Sequence, residues 1–471
     1  MSTIEIVTSL AYLVAAVGFV VGLHLMNSPA TARKGSQLSS IGMVVAVAAT
    51  VAKLADNGGI TGTGWAVLAG GTVLGGVVGL WSADTVKMTA IPQLVSIFNA
   101  VGGGAAALLA VADFVRIIGT TNPSIPARVM VPTVLDVIIG AITFTGSLLA
   151  AGKLQGWVPG QPLVFPGVRV VNAILVAVML GGGSYLVSGS HSGWVLLVVL
   201  VASLGFGVTM VMPIGGADMP VVISLLNALT GTAVAMAGFV IDNTALIIAG
   251  ALVGASGAIL TKLMADAMNR SIANIVVGGF GTGDTGGVVA ATGGEVRQIA
   301  VADAAIQLGY AAKVIIVPGY GLAAAQAQHE VAQLATELEK RGTEVSFAIH
   351  PVAGRMPGHM NVLLAEANVP YTALREMDEI NPEFPQADVA LVIGANDVTN
   401  PAARRPGTAI SGMPILDVDK AKHIIVVKRS LGHGYAGIDN ELYTDPHTDM
   451  LLADAKAGLT ELVAAIKSLD A

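Results

Sequence analysis

Nine stretches of this chain are too long and too apolar to be surface segments of a soluble domain: approximately 5–26, 38–56, 65–81, 93–118, 130–152, 168–188, 192–212, 218–241 and 245–265. A bilayer core is crossed by about 20 apolar residues in a helix. Backbone polar groups inside hydrocarbon must bond within their own segment, so such stretches fold as helices or not at all. Nine is odd, so the two ends of the series are expected on opposite faces of the membrane. The opening Met1-Ser2-Thr3-Ile4-Glu5 lacks the basic start of a cleaved signal, and the first stretch is expected to be a retained span.

Charge divides the chain. Only 12% of residues are charged, against about a quarter in ordinary globular chains. Of the 55 Asp, Glu, Lys and Arg, residues 1–270 carry 18 and residues 271–471 carry 37. The second part holds 23 acids and 14 bases, an acidic balance that argues against nucleic acid as a partner. There is no cysteine, which excludes disulfides, thiolate metal sites and Cys nucleophiles. On the side of the charged C-terminal part, loops would carry Arg33, Lys34, Lys87, Lys153, Arg169, Lys262 and Arg270. The other side would carry Arg116, Arg128 and Lys53. By the excess of basic loops the C-terminal part is expected in the cytosol or matrix, and the N-terminus outside. The expected domains are 1–265 in the membrane, a helix exit and Gly-rich linker over 266–294, and a soluble domain over 295–471. The linker has eight glycines between Gly278 and Gly294 and is expected to be flexible.

The soluble part alternates strand and helix patterns. Strands are expected at 313–317, 345–349, 389–393, 413–416 and 423–427, with another near Tyr371. Helices are expected near 298–308, 322–341, 359–367 and 447–469. This alternation predicts a doubly wound parallel sheet. Between the first strand and the second helix lies Gly319-Tyr320-Gly321-Leu322-Ala323-Ala324. Strand, Gly-x-Gly-x-x-Ala and helix form a dinucleotide-binding pattern: one glycine for the turn, one for close backbone approach to a pyrophosphate, a small residue for helix packing. By itself the pattern equally describes a plain strand-to-helix turn. The second strand ends in His350-Pro351-Val352-Ala353-Gly354-Arg355, without the acid that binds a ribose 2′-OH. That ending suits NADP better than NAD, and Lys428-Arg429-Ser430 after the last strand offers cations for a 2′-phosphate.

Polar side chains within spans are costly and are candidates for function. Asn99 precedes Gly102-Gly103-Gly104. Asn227 shares a helix face with Thr230 and Gly231. Asp136, Gly140, Thr143 and Ser147 step by four, three and four along one face. Close helix packing explains the small-residue stripe as readily as a polar path does, and an interhelical hydrogen bond explains each Asn. Asp218, before Met219-Pro220, is expected to cap a helix. Asp113 with Arg116, and Lys262 with Asp266 and Arg270, are expected to be surface ion pairs. No Glu- or His-rich cluster in the spans suggests a metal.

These residues resemble the β subunit of the proton-translocating NAD(P) transhydrogenase family. The resemblance covers essentially the whole chain. In the helical part it is carried by Gly215-Gly216-Ala217-Asp218-Met219-Pro220-Val221-Val222, Gly250 to Leu260 and Ala267-Met268-Asn269-Arg270-Ser271. In the soluble part it is carried by Pro318-Gly319-Tyr320-Gly321, His350 to Asn361, Gly394-Ala395-Asn396-Asp397, Lys428-Arg429-Ser430 and Gly434-Tyr435-Ala436-Gly437. It implies a polytopic all-α membrane domain of about nine transmembrane helices and an α/β Rossmann-like NADP-binding domain with a parallel sheet. It implies hydride transfer between NAD(H), bound on a separate α subunit, and NADP(H), bound here, coupled to proton translocation, with two such complexes pairing. Gly319, Tyr320 and Gly321 would meet the cofactor at the turn. Val352, Ala353, Gly354, Arg355, Met356 and Pro357 would line its pyrophosphate and nicotinamide side. Asn396 and Asp397 would lie by the nicotinamide ribose, with Gly394 and Ala395 also binding the cofactor; Lys428, Arg429 and Ser430 would hold the 2′-phosphate, and Tyr435, beside Gly434, would fold over the cofactor. Asn227, Asp218 and Ser147 match membrane positions implicated in proton movement. Asn99 stands where some relatives carry a histidine, and an amide cannot take up and hand on a proton as imidazole does.

No metal and no catalytic acid–base pair is expected, since both nicotinamides carry the chemistry themselves. A second reading fits the same spans and fingerprint: a channel or transporter whose NADP(H)-binding domain senses redox state without transferring hydride.

Overall fold

The computed structural model describes residues 3–26, 29–56, 58, 60, 62–119, 125–160, 162–215, 218–268, 271–273, 275, 296–354, 358–406, 408, 410–432, 434, 436 and 438–469, together with 61. Arg270, the 278–294 linker, Arg355, Met356, Pro357 and Tyr435 lie outside the described residues. The chain packs as two units, Met1–Pro213 with Val222–Leu260, and Ile214–Val221 with Thr261–Ala471.

Among the described residues, nine helices are long and apolar enough to cross a membrane. They are α1 (Thr3–Leu25), α2 (Pro29–Asp56), α3 (Gly62–Thr85), α4 (Ile91–Ile118), α5 (Ala127–Gln155), α6 (Val168–Val187), α7 (Gly193–Val211), α8 (Met219–Val240) and α9 (Thr244–Ala267). The second begins well before the expected residue 38, because the polar stretch Thr31–Ser40 continues the helix.

Small residues bring these helices together. A Cβ on Gly140 of α5 would lie 2.5 Å from the Gly103 carbonyl of α4, and one on Gly207 of α7 would lie 2.5 Å from the Ile142 carbonyl of α5. Backbones this close gain dispersion contacts where lipid gives no hydrophobic driving force. By contrast, α3 buries none of its residues. Asp113 and Arg116 pair at 2.8 Å, and Lys262 and Asp266 at 2.7 Å, as the spacing predicts.

The second unit is built on a six-stranded sheet in the order β3-β2-β1-β4-β5-β6, every neighbouring pair parallel. The strands are β1 (Lys313–Pro318), β2 (Glu344–Ile349), β3 (Leu374–Glu376), β4 (Val389–Ile393), β5 (His423–Lys428) and β6 (Thr448–Leu452). The flanking helices include α10 (Val301–Gly309), α11 (Tyr320–Ala324), α12 (Gln328–Lys340), α13 (His359–Glu366) and α14 (Ala455–Ser468). Central strands are unbroken Val, Ile and Leu runs because helices cover both faces; Val314 to Val317 and Val389 to Ile393 are buried throughout.

Three expectations are corrected. The 413–416 segment is not a strand: Pro414 has no N–H for a ladder, and the segment instead gives Leu416 N–H to the Val398 carbonyl at 2.9 Å. The helix expected over 447–469 starts only at Ala455, because Thr448–Leu452 pairs with β5 as an edge strand. The helix expected over 322–341 breaks after one turn: Gln326 is left-handed (φ 52), and Ala327 N–H bonds back to the Leu322 carbonyl.

Candidate functional site

Strand order reverses between β1 and β4, which opens a crevice at the carboxyl end of the sheet. The loops that follow these two strands touch through their backbones. Gly319 N–H donates to the Ile393 carbonyl and Gly321 N–H to the Gly394 carbonyl, each at 2.9 Å. A Cβ on Gly319 would lie 2.3 Å from Ala395 Cα, so that position is closed to any side chain. The sequence pattern assigned the second glycine to approach of a pyrophosphate. In the fold, Gly321 is required first by the neighbouring loop.

Beside this junction lies a cleft of about 450 Å³, within the size range of small-molecule sites. Loops after five strands line it. β1 contributes Gly319, Tyr320 and Gly321; β2 contributes Val352, Ala353 and Gly354; β4 contributes Gly394, Ala395, Asn396 and Asp397; β5 contributes Lys428, Arg429, Ser430 and Gly434; β6 contributes Ala453 and Asp454. The fold therefore gathers the described soluble-domain candidates into one place.

His350 shapes the β2 loop. Its Nδ1 accepts from Val352 N–H at 3.2 Å, so the proton sits on Nε2, which donates to the Pro414 carbonyl at 2.8 Å. Burial pushes its pKa from 6.5 down to about 4. It is therefore neutral at pH 7 and offers no cation to a phosphate.

The basic corner sits at the end of β5. Arg429 and Ser430 are exposed, and Lys428 is half-buried. Lys428 Nζ donates to the Gly432 carbonyl and lies 4.7 Å from the centre of the Tyr443 ring. Burial draws the Lys428 pKa down, and Asp397 opposes that. Asp397 accepts from Ala436 N–H at 3.1 Å, and a Cβ on Gly434 would fall 2.4 Å from its Oδ1. The carboxylate thus fixes the loop that follows the basic corner.

Several supports were not singled out from the sequence. Asn440 Nδ2 donates to the Asn396 carbonyl at 3.0 Å and its side-chain oxygen at 3.1 Å. Asn400 Nδ2 donates to the Asp439 carbonyl at 2.9 Å. Both are buried, and they tie the β4 loop to the segment before β6. Asp454 caps α14, accepting from Lys456 N–H at 3.0 Å. An acid just before a periodic apolar run was a legible cap signal, hidden by placing the helix start too early.

In the helical unit, Asn99 is buried, and its Nδ2 reaches the Ile223 carbonyl of α8 at 3.5 Å. Thr230 Oγ donates to the Asn99 carbonyl at 3.3 Å. Asn227 lies between these two contacts along α8 and is half-buried. Ser147 is buried on the α4–α5 interface, where its carbonyl accepts from Ser96 Oγ at 3.0 Å. Asp218 belongs to the second unit and directly precedes α8, the position of a cap. Among the described residues no His, Asp and Glu cluster is placed to hold a metal.

Nine apolar helices fit a multi-pass membrane protein. Joined to a parallel Rossmann-like sheet with glycine turns at its switch point, they define a membrane-type protein carrying a Rossmann-like domain. The model for the family described as NAD(P) transhydrogenase beta subunit matches residues 8–465. Two curated relatives, one from Rhodospirillum rubrum and one from a named strain of that species, are each called NAD(P) transhydrogenase subunit beta. Each is 48% identical over 469 residues, covering 98% of this chain and 99% of its own. The chain belongs to the NAD(P) transhydrogenase beta subunit family.

Proposed function

We propose that this chain binds NADP(H) in the cleft of its second unit. Hydride passes between that cofactor and NAD(H) on an alpha-type partner subunit, with Re/Si specificity, and the exchange is coupled to proton movement across a membrane. The observation that carries this reading is the cleft itself. Its glycine junction sits at the switch point between β1 and β4, and its cationic corner, Lys428-Arg429-Ser430, ends the next strand.

The residues fit the cofactor. Gly319, Tyr320 and Gly321 would meet the cofactor at the turn, with Gly394 beside them, and Val352, Ala353, Gly354, Arg355, Met356 and Pro357 would line its pyrophosphate and nicotinamide side. Asn396 and Asp397 would lie toward the nicotinamide ribose, with Ala395 also at the cofactor. Lys428, Arg429 and Ser430 supply two cations and a hydroxyl, the donor set a 2′-phosphate wants. His350 is neutral and leaves that task to them. Asp397 positions Ala436, and a side chain at Gly434 would meet its carboxylate; Tyr435 would fold over the cofactor. NADP(H), when bound, gives or accepts the hydride. The chain's work is to orient it, exclude water and transmit its state.

Residues 1–265 would conduct protons, with Asn99, Ser147, Asn227 and Asp218 along the path, 266–294 would link, and 295–471 would hold NADP(H). The distribution of Lys and Arg over the loops puts the C-terminal domain on the cytosolic side. Two alpha–beta complexes would pair in the bilayer. The test is reconstitution of the full chain with its alpha partner in vesicles, following hydride exchange between NADH and an NADP analogue alongside internal pH. Exchange with proton movement is expected. NADP(H) binding without hydride exchange would overturn this reading and favour the redox-sensing channel.

A further inference from the structure

Among the described residues the helical unit buries one carboxyl, that of Asp136. Asp136 lies within α5 and is 0% exposed. Neither carboxyl oxygen has a hydrogen-bond partner among the described residues. Only two charge-bearing side chains of this unit are buried among those residues, Asp136 and Lys153. Lys153 donates to the Met212 carbonyl at 2.6 Å. Asp136 is therefore a buried acid without visible compensation.

Its surroundings are packed. Gly140, one turn away, lies against Gly103 and Ala107 of α4. Val134 and Val137 pack with Ala110 of α4, Leu186 of α6 and Leu196 of α7. Ile139 packs with Ala106 of α4 and Ala233 and Ala237 of α8. The turn bearing Asp136 thus has helices around it. The ionisable groups on these helices are few. α4 has Asp113 and Arg116, which pair with each other; α5 has Arg128 and Lys153 near its ends; α6 has Arg169 and Tyr185; α7 and α8 have none. Gly183 of α6 lies against Val134 and Ile138, so the exposed Tyr185 is the ionisable group nearest in level to Asp136. In the antiparallel register set by Ser96 with Ser147 and Gly103 with Gly140, Asp113 of α4 lies further along.

A polar line leads away from the acid. Thr143 and Ser147 share its helix face, and both are buried. Ser147 Oγ has no partner among the described residues. Across the interface stand Ser96 and Asn99 of α4, and Thr230 of α8 donates to the Asn99 carbonyl. Amides and hydroxyls order water and pass protons along it. They do not titrate as a carboxyl does, by taking up and giving back a proton on one oxygen.

We infer that Asp136 is the proton-carrying carboxyl of the helical unit. One proton joins a carboxylate oxygen to give the neutral acid, and the same proton leaves when water reaches the site along the Thr143–Ser147–Asn99 line. A buried lone carboxylate must be neutralised or hydrated. Changes in its charge are thereby tied to the packing of α4 against α5. Among the described residues no three His, Asp or Glu gather to hold a metal, and a buried lone carboxyl suits a proton and not a metal cation. This inference rests on the coupled reading of the function.

The test uses the full chain with its alpha partner in vesicles. Asp136→Asn keeps shape and removes the titrating group. It is expected to lower hydride-driven proton translocation about 100-fold or more, while NADPH binding is kept. Asp136→Glu is expected to restore translocation with a displaced pH profile. Infrared difference spectra of the wild type should show a carboxyl C=O band that changes with pH and is missing from Asp136→Asn, a signature that a packing role would not produce. Translocation by Asp136→Asn at the wild-type rate would overturn the inference, as would an unaltered carboxyl band. If the Asn variant loses NADPH binding, Asp136→Glu decides: a displaced pH profile supports the inference and an unmoved one overturns it. A wild type that exchanges hydride without moving protons overturns both this inference and the coupled reading; a pumping Asp136→Asn beside a pumping wild type overturns this one alone.

Discussion

Gly321 and Gly394 meet backbone to backbone at the switch point of the sheet. Gly321 N–H donates to the Gly394 carbonyl at 2.9 Å, and a Cβ on Gly394 would lie 2.3 Å from Gly321 Cα. Gly394 is also left-handed, with φ +64. Gly394→Ala therefore combines a clash with a strained backbone. It should destabilise the second unit by about 2–4 kcal/mol and remove NADPH binding. Thermal unfolding of the purified chain with and without NADPH checks this; an unchanged midpoint and intact binding would contradict it.

Arg429 is exposed beside the cleft at the end of β5. A charge-assisted bond to a phosphate contributes about 1.5–3 kcal/mol, so Arg429→Ala should weaken NADPH binding by about 10- to 100-fold. Affinity for NADH, which lacks the 2′-phosphate, should stay the same. Equal losses for both cofactors would place Arg429 elsewhere than at the 2′-phosphate.

Asn440 makes two bonds to Asn396 and caps the turn before β6 through Leu442 N–H at 3.0 Å. Truncation leaves buried groups of the β4 loop unsatisfied. Asn440→Ala should cost about 1–3 kcal/mol, and hydrogen exchange should rise first in 396–400 and 439–443. A rise spread evenly over the sheet would contradict the brace.

His350 gives the second unit a pH dependence of known sign. Its pKa is depressed from 6.5 to about 4 by burial, so between those values the unfolded chain binds the extra proton. Its contribution to stability is complete above pH 6.5 and is lost as pH falls toward 4. His350→Gln should flatten stability against pH across that window. An equally steep loss in the variant would assign the effect to other groups.

Much of this architecture is legible in the sequence because its cause is local. The nine apolar helices are set by length and hydropathy. The central strands 313–317, 345–349, 389–393 and 423–427 are set by unbroken β-branched runs. What the sequence hid depends on neighbours. Thr448–Leu452 is a strand because β5 offers it an edge, although its surroundings read as helix. The 413–416 run looks like a strand, but Pro414 and the bond from His350 draw it into a loop. The glycine pattern located the cleft, yet Gly394 as the reason for Gly321 is visible only once β4 lies beside β1. Asn440, 44 residues from Asn396 in sequence, had no local signal.

The most direct test is equilibrium binding of NADPH and of NADH to the purified full-length chain, measured side by side. The proposed hold of Lys428, Arg429 and Ser430 on the extra phosphate predicts that NADPH binds at least about 100-fold more tightly. Equal affinity for the two cofactors, or no affinity for either, would contradict the account.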